Sequence, residues 1–212
     1  MKNTILITGG AGFIGSHLAE KFHNEGFLVI IIDNLFRGRL ENIKEIIQNG
    51  AIFHKLDLLI EDDLISITNL IQNYEPSIIL HYAAINGTQY FYDFPQLVAE
   101  VNSIGTYNLM KCIQNVKSKK KTYRPTLGFA STSEVYGDPK VVPQTETYWG
   151  NVNPIGIRSC YDEGKRAAET LFSDYHRQHK VDIRIARIFN TFGPRMAIDD
   201  GRVVSNFIVQ AL

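Results

Sequence analysis

Apolar and polar positions along this chain follow two alternating periods. Short runs rich in branched apolar residues, at 4–8, 27–32, 51–56, 77–81, 126–130 and 182–187, have the length and composition of strands buried on both faces. Between them, apolar residues recur every three or four positions. Phe13, Leu18 and Phe22 open the first such stretch, and further helices are expected over 40–48, from Glu61 to a stop at Pro76, and over 95–116, 160–179 and 202–212. Glu61, Asp62 and Asp63 put negative charge at a helix start, where the helix dipole favours it. Strands alternating with helices predict an α/β fold: a doubly wound, parallel Rossmann sheet with helices on both faces. Two stretches break the pattern. Residues 85–93 are polar and aromatic and are expected to form a loop that overhangs the carboxyl edge of the sheet. Residues 138–158, with Pro139, Pro143, Trp149, Gly150 and Pro154, show no period, and a loop this long inside a compact domain is usually functional.

The first strand-to-helix junction, Thr8-Gly9-Gly10-Ala11-Gly12-Phe13-Ile14-Gly15, carries the strongest chemical signal. Gly9 suits a turn of positive φ, Gly12 leaves room for a pyrophosphate against the backbone, and Gly15 lets the helix sit close to the strand. Phosphates would then lie on the helix N–H groups, with Phe13 and Ile14 beside them. Asp33 closes the second strand, where a carboxylate binds adenosine ribose hydroxyls and repels a 2′-phosphate. NAD is therefore expected over NADP, although Arg37 and Arg39 follow closely. Asn34 adjoins that carboxylate. Asp57 and Leu58 either flank an adenine or form an ordinary loop cap, and Ala83 and Ala84 leave space for a cofactor at the end of the fourth strand.

Composition narrows the partners. The chain has 212 residues, 44% of them hydrophobic, with 22 basic and 22 acidic side chains, so no field of one sign points to nucleic acid or an anionic membrane. Cys112 and Cys160 show no CxxC spacing and fit a reducing compartment. The first strand begins just after Met1, and no apolar run has membrane-spanning length, so a cytoplasmic protein is expected. Lys117, Lys119, Lys120 and Lys121 have the pattern of a solvated helix end. His176 and His179, three apart on a helix, lack acidic or thiolate company, and no metal is expected. His81 is expected to be a packed residue.

Tyr161 and Lys165 are spaced to share one helix face. A free phenol, of pKa about 10, is a weak base near neutrality. A nearby ammonium is expected to stabilise the phenolate, so that Tyr161 can take a proton from a sugar hydroxyl while Lys165 also meets the nicotinamide ribose. Thr132 is placed to hold that hydroxyl, and Glu134 to serve as an auxiliary acid or base.

Together with Asp33-Asn34-Leu35, Asn102 and Arg187-Ile188-Phe189-Asn190-Thr191-Phe192-Gly193-Pro194-Arg195, these motifs resemble the extended short-chain dehydrogenases/reductases, specifically the NAD-dependent epimerase/dehydratase family of nucleotide-sugar enzymes. The resemblance covers the whole chain. Within the family, the segments 131–139, 148–165 and 186–210, the last containing Asp200-Gly201-Arg202-Val203, are similar to the UDP-glucuronate decarboxylases. That resemblance implies NAD as cofactor and a UDP-sugar substrate. It places Ser133, Asn190 and Arg195 near the sugar nucleotide, Asn102 among the cofactor-binding residues and in support of the active-site helix, and a homodimer through helices 95–116 and 160–179. It also implies residues 1–190 as an NAD-binding domain and 191–212 as the start of a substrate lobe that is largely missing. Sugar 4,6-dehydratases carry an Asp-Glu pair after the catalytic threonine. Here the pair is Ser133-Glu134, and a serine hydroxyl cannot readily protonate a departing hydroxide. C4 oxidation, loss of CO₂ and re-reduction to UDP-xylose is the leading expectation. A 4-epimerase, a 4,6-dehydratase and an inactive NAD-binding fragment are the alternatives.

Overall fold

A computed structural model describes residues 3–198 and 202–212 of the chain. Six strands, β1 (Thr4–Thr8), β2 (Leu28–Ile32), β3 (Ile52–His54), β4 (Ile78–His81), β5 (Thr126–Thr132) and β6 (Asp182–Ile188), form one sheet in the order β3-β2-β1-β4-β5-β6. Every neighbouring pair is parallel. The expected α/β, doubly wound sheet is therefore the observed one. All five residues of β1 are buried, as a central strand covered on both faces requires. Thr8 aligns with Ile32 of β2 on one side and His81 of β4 on the other, so three strands end level. The chain reverses its direction of travel across the sheet between β1 and β4, which opens a crevice at their carboxyl ends.

Alternation along β1 feeds two cores. Leu6, with Ile30, Ile32, Ile79, Leu127 and Phe129, packs beneath α3 (Glu61–Tyr74), α6 (Thr106–Lys119) and α7 (Ser159–His179). Ile5 and Ile7, with Val29 and Ile31, pack beneath α1 (Phe13–Asn24) and α2 (Lys44–Gln48). Each fully buried branched side chain contributes about 1.5–3 kcal/mol, so the sheet centre is a stiff floor for what stands on its edge. A third, smaller cluster of Ile85, Phe91, Val98 and Tyr161 lies apart from both.

The structure departs from the expected elements in instructive places. The segment 40–48 is a 3-10 turn, Leu40–Asn42, followed by α2, because Ile43 between them is not helical, with φ −123°. The expected loop over 85–93 contains a helix, α4 (Thr88–Asp93), whose sequence TQYFYD has no helical stripe and which is held by burial of Phe91. The expected helix over 95–116 runs as α5 (Pro95–Glu100), a π-helical turn Val101–Gly105 and α6. Strand β5 extends two residues past Ala130 because Ser131 and Thr132 pair with Arg187 and Ile188 of β6. The aperiodic stretch 138–158 has neither helix nor strand, only an isolated bridge between Gly137 and Asn151. Arg166 of α7 ties it down by donating to the carbonyls of Val135 (2.8 Å) and Trp149 (2.9 Å). The last helix is α8 (Val203–Ala211).

Candidate active site

The crevice, of about 500 Å³, is large enough for a small organic ligand and runs from the glycine turn to the end of β5. At one end Gly9 has φ +71°, and a Cβ there would stand 2.5 Å from the Ala83 nitrogen. A Cβ on Gly15 would stand 2.2 Å from the Gly9 carbonyl, so only glycine permits this packing of α1 on the turn. Gly12 precedes α1 in ordinary extended geometry, with no side-chain cap on the helix. Its neighbours Phe13 and Ile14 line the crevice beside it. The bare helix start offers its N–H groups to an anion, as a pyrophosphate requires.

Asp33 is buried, and its two carboxylate oxygens accept from the backbone of Ala11 (3.0 Å) and Leu35 (2.9 Å). Burial pushes its pKa up, and the two backbone donors oppose the rise. Asp33 thus staples the glycine turn to β2 while forming part of the wall. Asn34 donates to Asp57 at 2.8 Å, and Asp57 also accepts from the Leu59 nitrogen, so Asp57 is both a loop cap and part of the wall. Leu58, Ala83 and Ala84 complete this side. The missing Cβ atoms, the bare helix start and the acidic strand end together fit a dinucleotide. Asn102 is a correction: it does not line the crevice. It is fully buried in the π turn, donates to the carbonyls of Ile85 (3.0 Å) and Val98 (2.8 Å), and sits where a Cβ on Gly164 of α7 would be 3.1 Å from its own. Its place is behind the wall, supporting α7.

At the other end the helical spacing brings Tyr161 and Lys165 to the crevice, with Ser131, Thr132, Ser133 and Glu134 facing them. Thr132 accepts from the Glu134 nitrogen at 3.2 Å, which caps a 3-10 turn, and it lines the crevice together with Tyr161. The expected electrostatics do not hold. Lys165 is 3% exposed and donates to the Ala130 carbonyl at 2.9 Å, with Nζ 4.8 Å from the centre of the Phe129 ring. Burial brings its pKa down to about 7, against the pull of Glu169. The Tyr161 phenol is raised, not lowered, chiefly by burial, and the charges of Glu134 and Asp162 add to the rise while Thr132 and Arg202 oppose it. Lys165 is not among the groups that move it. In the chain alone, desolvation outweighs the i, i+4 neighbour.

Glu134 is ion-paired with Arg158, and Ser133 approaches the same carboxylate at 3.4 Å. Asn190 and Arg195 also line the crevice, and Arg195 is anchored to Glu20 of α1 at 2.5 Å. Asp200 and Gly201 lie outside the described residues. His81 is buried between Thr8 (2.7 Å) and Thr106 (3.0 Å) and stacks on Phe129 and Phe172, and burial drops its pKa to about 3. His176 bonds the Val181 carbonyl and His179 packs on Tyr175. Sequence reasoning gave no role to Arg187, Glu169, Ser131, Phe91 or Arg158. Arg187 makes a two-pronged bond to Glu169 (2.9 and 2.8 Å), and Ser131 donates to the same carboxylate at 2.5 Å, which locks β5, β6 and α7 together beneath the site. Phe91 stacks on Tyr161 and Arg158 neutralises Glu134, pairings between segments far apart in sequence that no local pattern carries.

Residues 6–212 match the GDP-mannose 4,6 dehydratase family. The chain belongs to that family. Among curated relatives in the family, UDP-glucuronic acid decarboxylase 6 of Arabidopsis thaliana is 51% identical over 98% of this chain. The chain spans about half the length of the curated relatives it matches, 56% in that case. Solved structures share the fold. UDP-glucose 4-epimerase of Thermotoga maritima, solved with UDP-glucose, has a TM-score of 0.81 and 29% identity over 96% of this chain and 61% of its own. The corresponding epimerase of Thermus thermophilus, solved with NAD, gives 0.76 and 29% over 92% and 58%.

Proposed function

We propose that this protein is an NAD-dependent nucleotide-sugar enzyme of the UDP-glucuronate decarboxylase type. The observation that carries the reading is that Tyr161 and Thr132 line one end of a crevice whose other end is a glycine turn stapled by Asp33. The identity to a named decarboxylase over nearly the whole chain supports the choice of substrate. The Thermus relative, solved with NAD, supports the cofactor.

Gly9, Gly12, Phe13, Ile14, Gly15, Asp33, Asn34, Asp57, Leu58, Ala83 and Ala84 would hold the dinucleotide, with Lys165 at its nicotinamide ribose. NAD, when bound, supplies a hydride acceptor for C4 of the sugar and returns the hydride afterwards. Thr132 orients the C4 hydroxyl, and Tyr161 takes its proton as the ketone forms. The C5 carboxylate is then a β-keto acid and leaves as CO₂. Glu134, held by Arg158, serves the proton exchange that follows, and Ser133 matches a reaction with no hydroxide to protonate. Asn190 and Arg195 face the sugar nucleotide. Residues 1–190 act as the NAD-binding domain and 191–212 as the start of the substrate region. A cytoplasmic location and a homodimer through α5–α6 and α7 complete the reading, and light scattering checks the dimer.

Incubation with UDP-glucuronate and NAD should release CO₂ and yield UDP-xylose. Turnover of another sugar nucleotide without CO₂ would overturn the reading. The epimerase structures favour a second one, a nucleotide-sugar 4-epimerase, whose product keeps all six sugar carbons and is distinguished by mass.

A further inference from the structure

Helix α4 lies where the sequence suggests only a loop, and its two central aromatic residues make contacts with different neighbours. Tyr90 packs on Phe36 at 5.6 Å between ring centres and lies under the Arg37 guanidinium at 5.0 Å; Arg37 also bonds Asn86. These contacts moor α4 to the loop after β2, on the dinucleotide side. Phe91, 5% exposed, stacks on Tyr161 with ring centres 5.4 Å apart and planes 25° from parallel. The Arg158 guanidinium also lies over Phe91, 5.9 Å from its centre, while it pairs with Glu134. One apolar ring therefore touches both the tyrosine and the arginine that neutralises the nearby carboxylate. Ile85 and Val98 surround it and fix its place.

We propose that Phe91 is a positioning residue: it clamps the Tyr161 ring toward Thr132, keeps water from the phenol and seats Arg158 against Glu134. Its bearing on turnover rests on the function proposed above, but the clamp itself does not. The groups that oppose or reinforce it are Thr132 and Glu134 of the 3-10 turn, Asp162 of α7 and Arg202 ahead of α8; among the described residues none from α4 or α5 moves the phenol by charge. Shielding by Phe91 accordingly acts through desolvation, with the sign of a raised pKa.

The test labels the tyrosine ring carbons with ¹³C and follows phenol ionisation by NMR in the full chain without ligand, the Tyr161→Phe variant giving the assignment. In the wild type Tyr161 ionises above the ordinary phenol range. Phe91→Ala should lower its midpoint by about one pH unit, a ten-fold change in the proton equilibrium, whereas Phe91→Leu, which keeps an apolar cover, should move it by less than about 0.3. Phe91→Gln, similar in length but polar, should shift it downward like alanine and serves where the alanine variant does not fold. Tyr123, buried at the opposite edge of the sheet with its hydroxyl on the Pro76 carbonyl, should keep its un-ionised resonance throughout and so reports general loosening. A Tyr161 midpoint unmoved in folded Phe91→Ala or Phe91→Gln, or one that moves only together with Tyr123, would overturn the proposal. A chain that turns over no nucleotide sugar but shows the shift would sink the decarboxylase reading and leave the clamp standing.

Discussion

The two ends of the crevice are built in different ways. The dinucleotide end is made of backbone: a turn at Gly9, a helix start at Gly12, contact through Gly15 and one carboxylate, Asp33, spent on two backbone N–H groups. The proposed catalytic end is made of side chains drawn from β5, α4, α7 and β6, with a buried lysine, a buried tyrosine and two ion pairs, Glu134–Arg158 and Glu169–Arg187. Backbone sites tolerate no added atom, whereas side-chain sites are tuned by burial and charge. The first kind should fail by sterics and the second by shifts in protonation.

The largest effect expected is at the catalytic end. Tyr161→Phe should cut turnover of the nucleotide sugar by roughly 10²–10⁴-fold, about 3–5 kcal/mol of barrier, while calorimetry finds NAD affinity close to that of the wild type. Gly15→Val breaks the other end. The added Cβ meets the Gly9 carbonyl, so a denaturant midpoint should report a loss of about 2–4 kcal/mol, and NAD binding should disappear with it. A variant that bound NAD normally would show that the turn is not the phosphate cradle.

The next effect concerns Lys165 and has a definite sign. Its pKa falls from 10.5 to about 7 on folding, so an unfolded chain takes up the proton first as pH drops through that window. The stability contribution of this side chain therefore declines from pH 10.5 to about 7 and is level below. Lys165→Met should be more stable than the wild type by about 1–3 kcal/mol at pH 7, with the gap closing near pH 10, as thermal melts would record. His81 behaves alike at lower pH: its folded pKa of about 3 against 6.5 means stability is fully present above 6.5 and drains away as pH falls toward 3. Between pH 6.5 and 5.5 the loss from this one group should be about 1 kcal/mol, absent in His81→Phe. The smallest effect is at Arg158, whose ion pair is half-exposed, with 55% and 33% of the two side chains open to solvent. Arg158→Ala should cost less than about 1 kcal/mol of stability.

The same contrast governs what can be read from the residues alone. Glycine spacing, branched strands and an acid at a strand end are local signals, and they located the sheet and the crevice beside the glycine turn. Tyr161, Lys165 and Thr132 were legible as types at a spacing. Their electrostatics were not, because the pKa of Tyr161 depends on its burial, where Phe91 stacks on the ring, and on charges from Glu134 and Arg202, all distant in sequence. Helix α4 was missed because TQYFYD has no helical stripe and is held by tertiary contacts. Asn102 looked like a cofactor ligand because its motif is near the site, yet the π turn points its amide into the core.

Whether the backbone-built end and the side-chain-built end serve one ligand is most directly settled by a crystal structure of the protein with NAD. The pyrophosphate should lie on the start of α1, with the nicotinamide ring within about 4 Å of the Tyr161 hydroxyl, a near-attack distance for chemistry shared with that phenol. A nicotinamide ring lodged away from Tyr161, or no dinucleotide against the glycine turn, would contradict the union of the two ends.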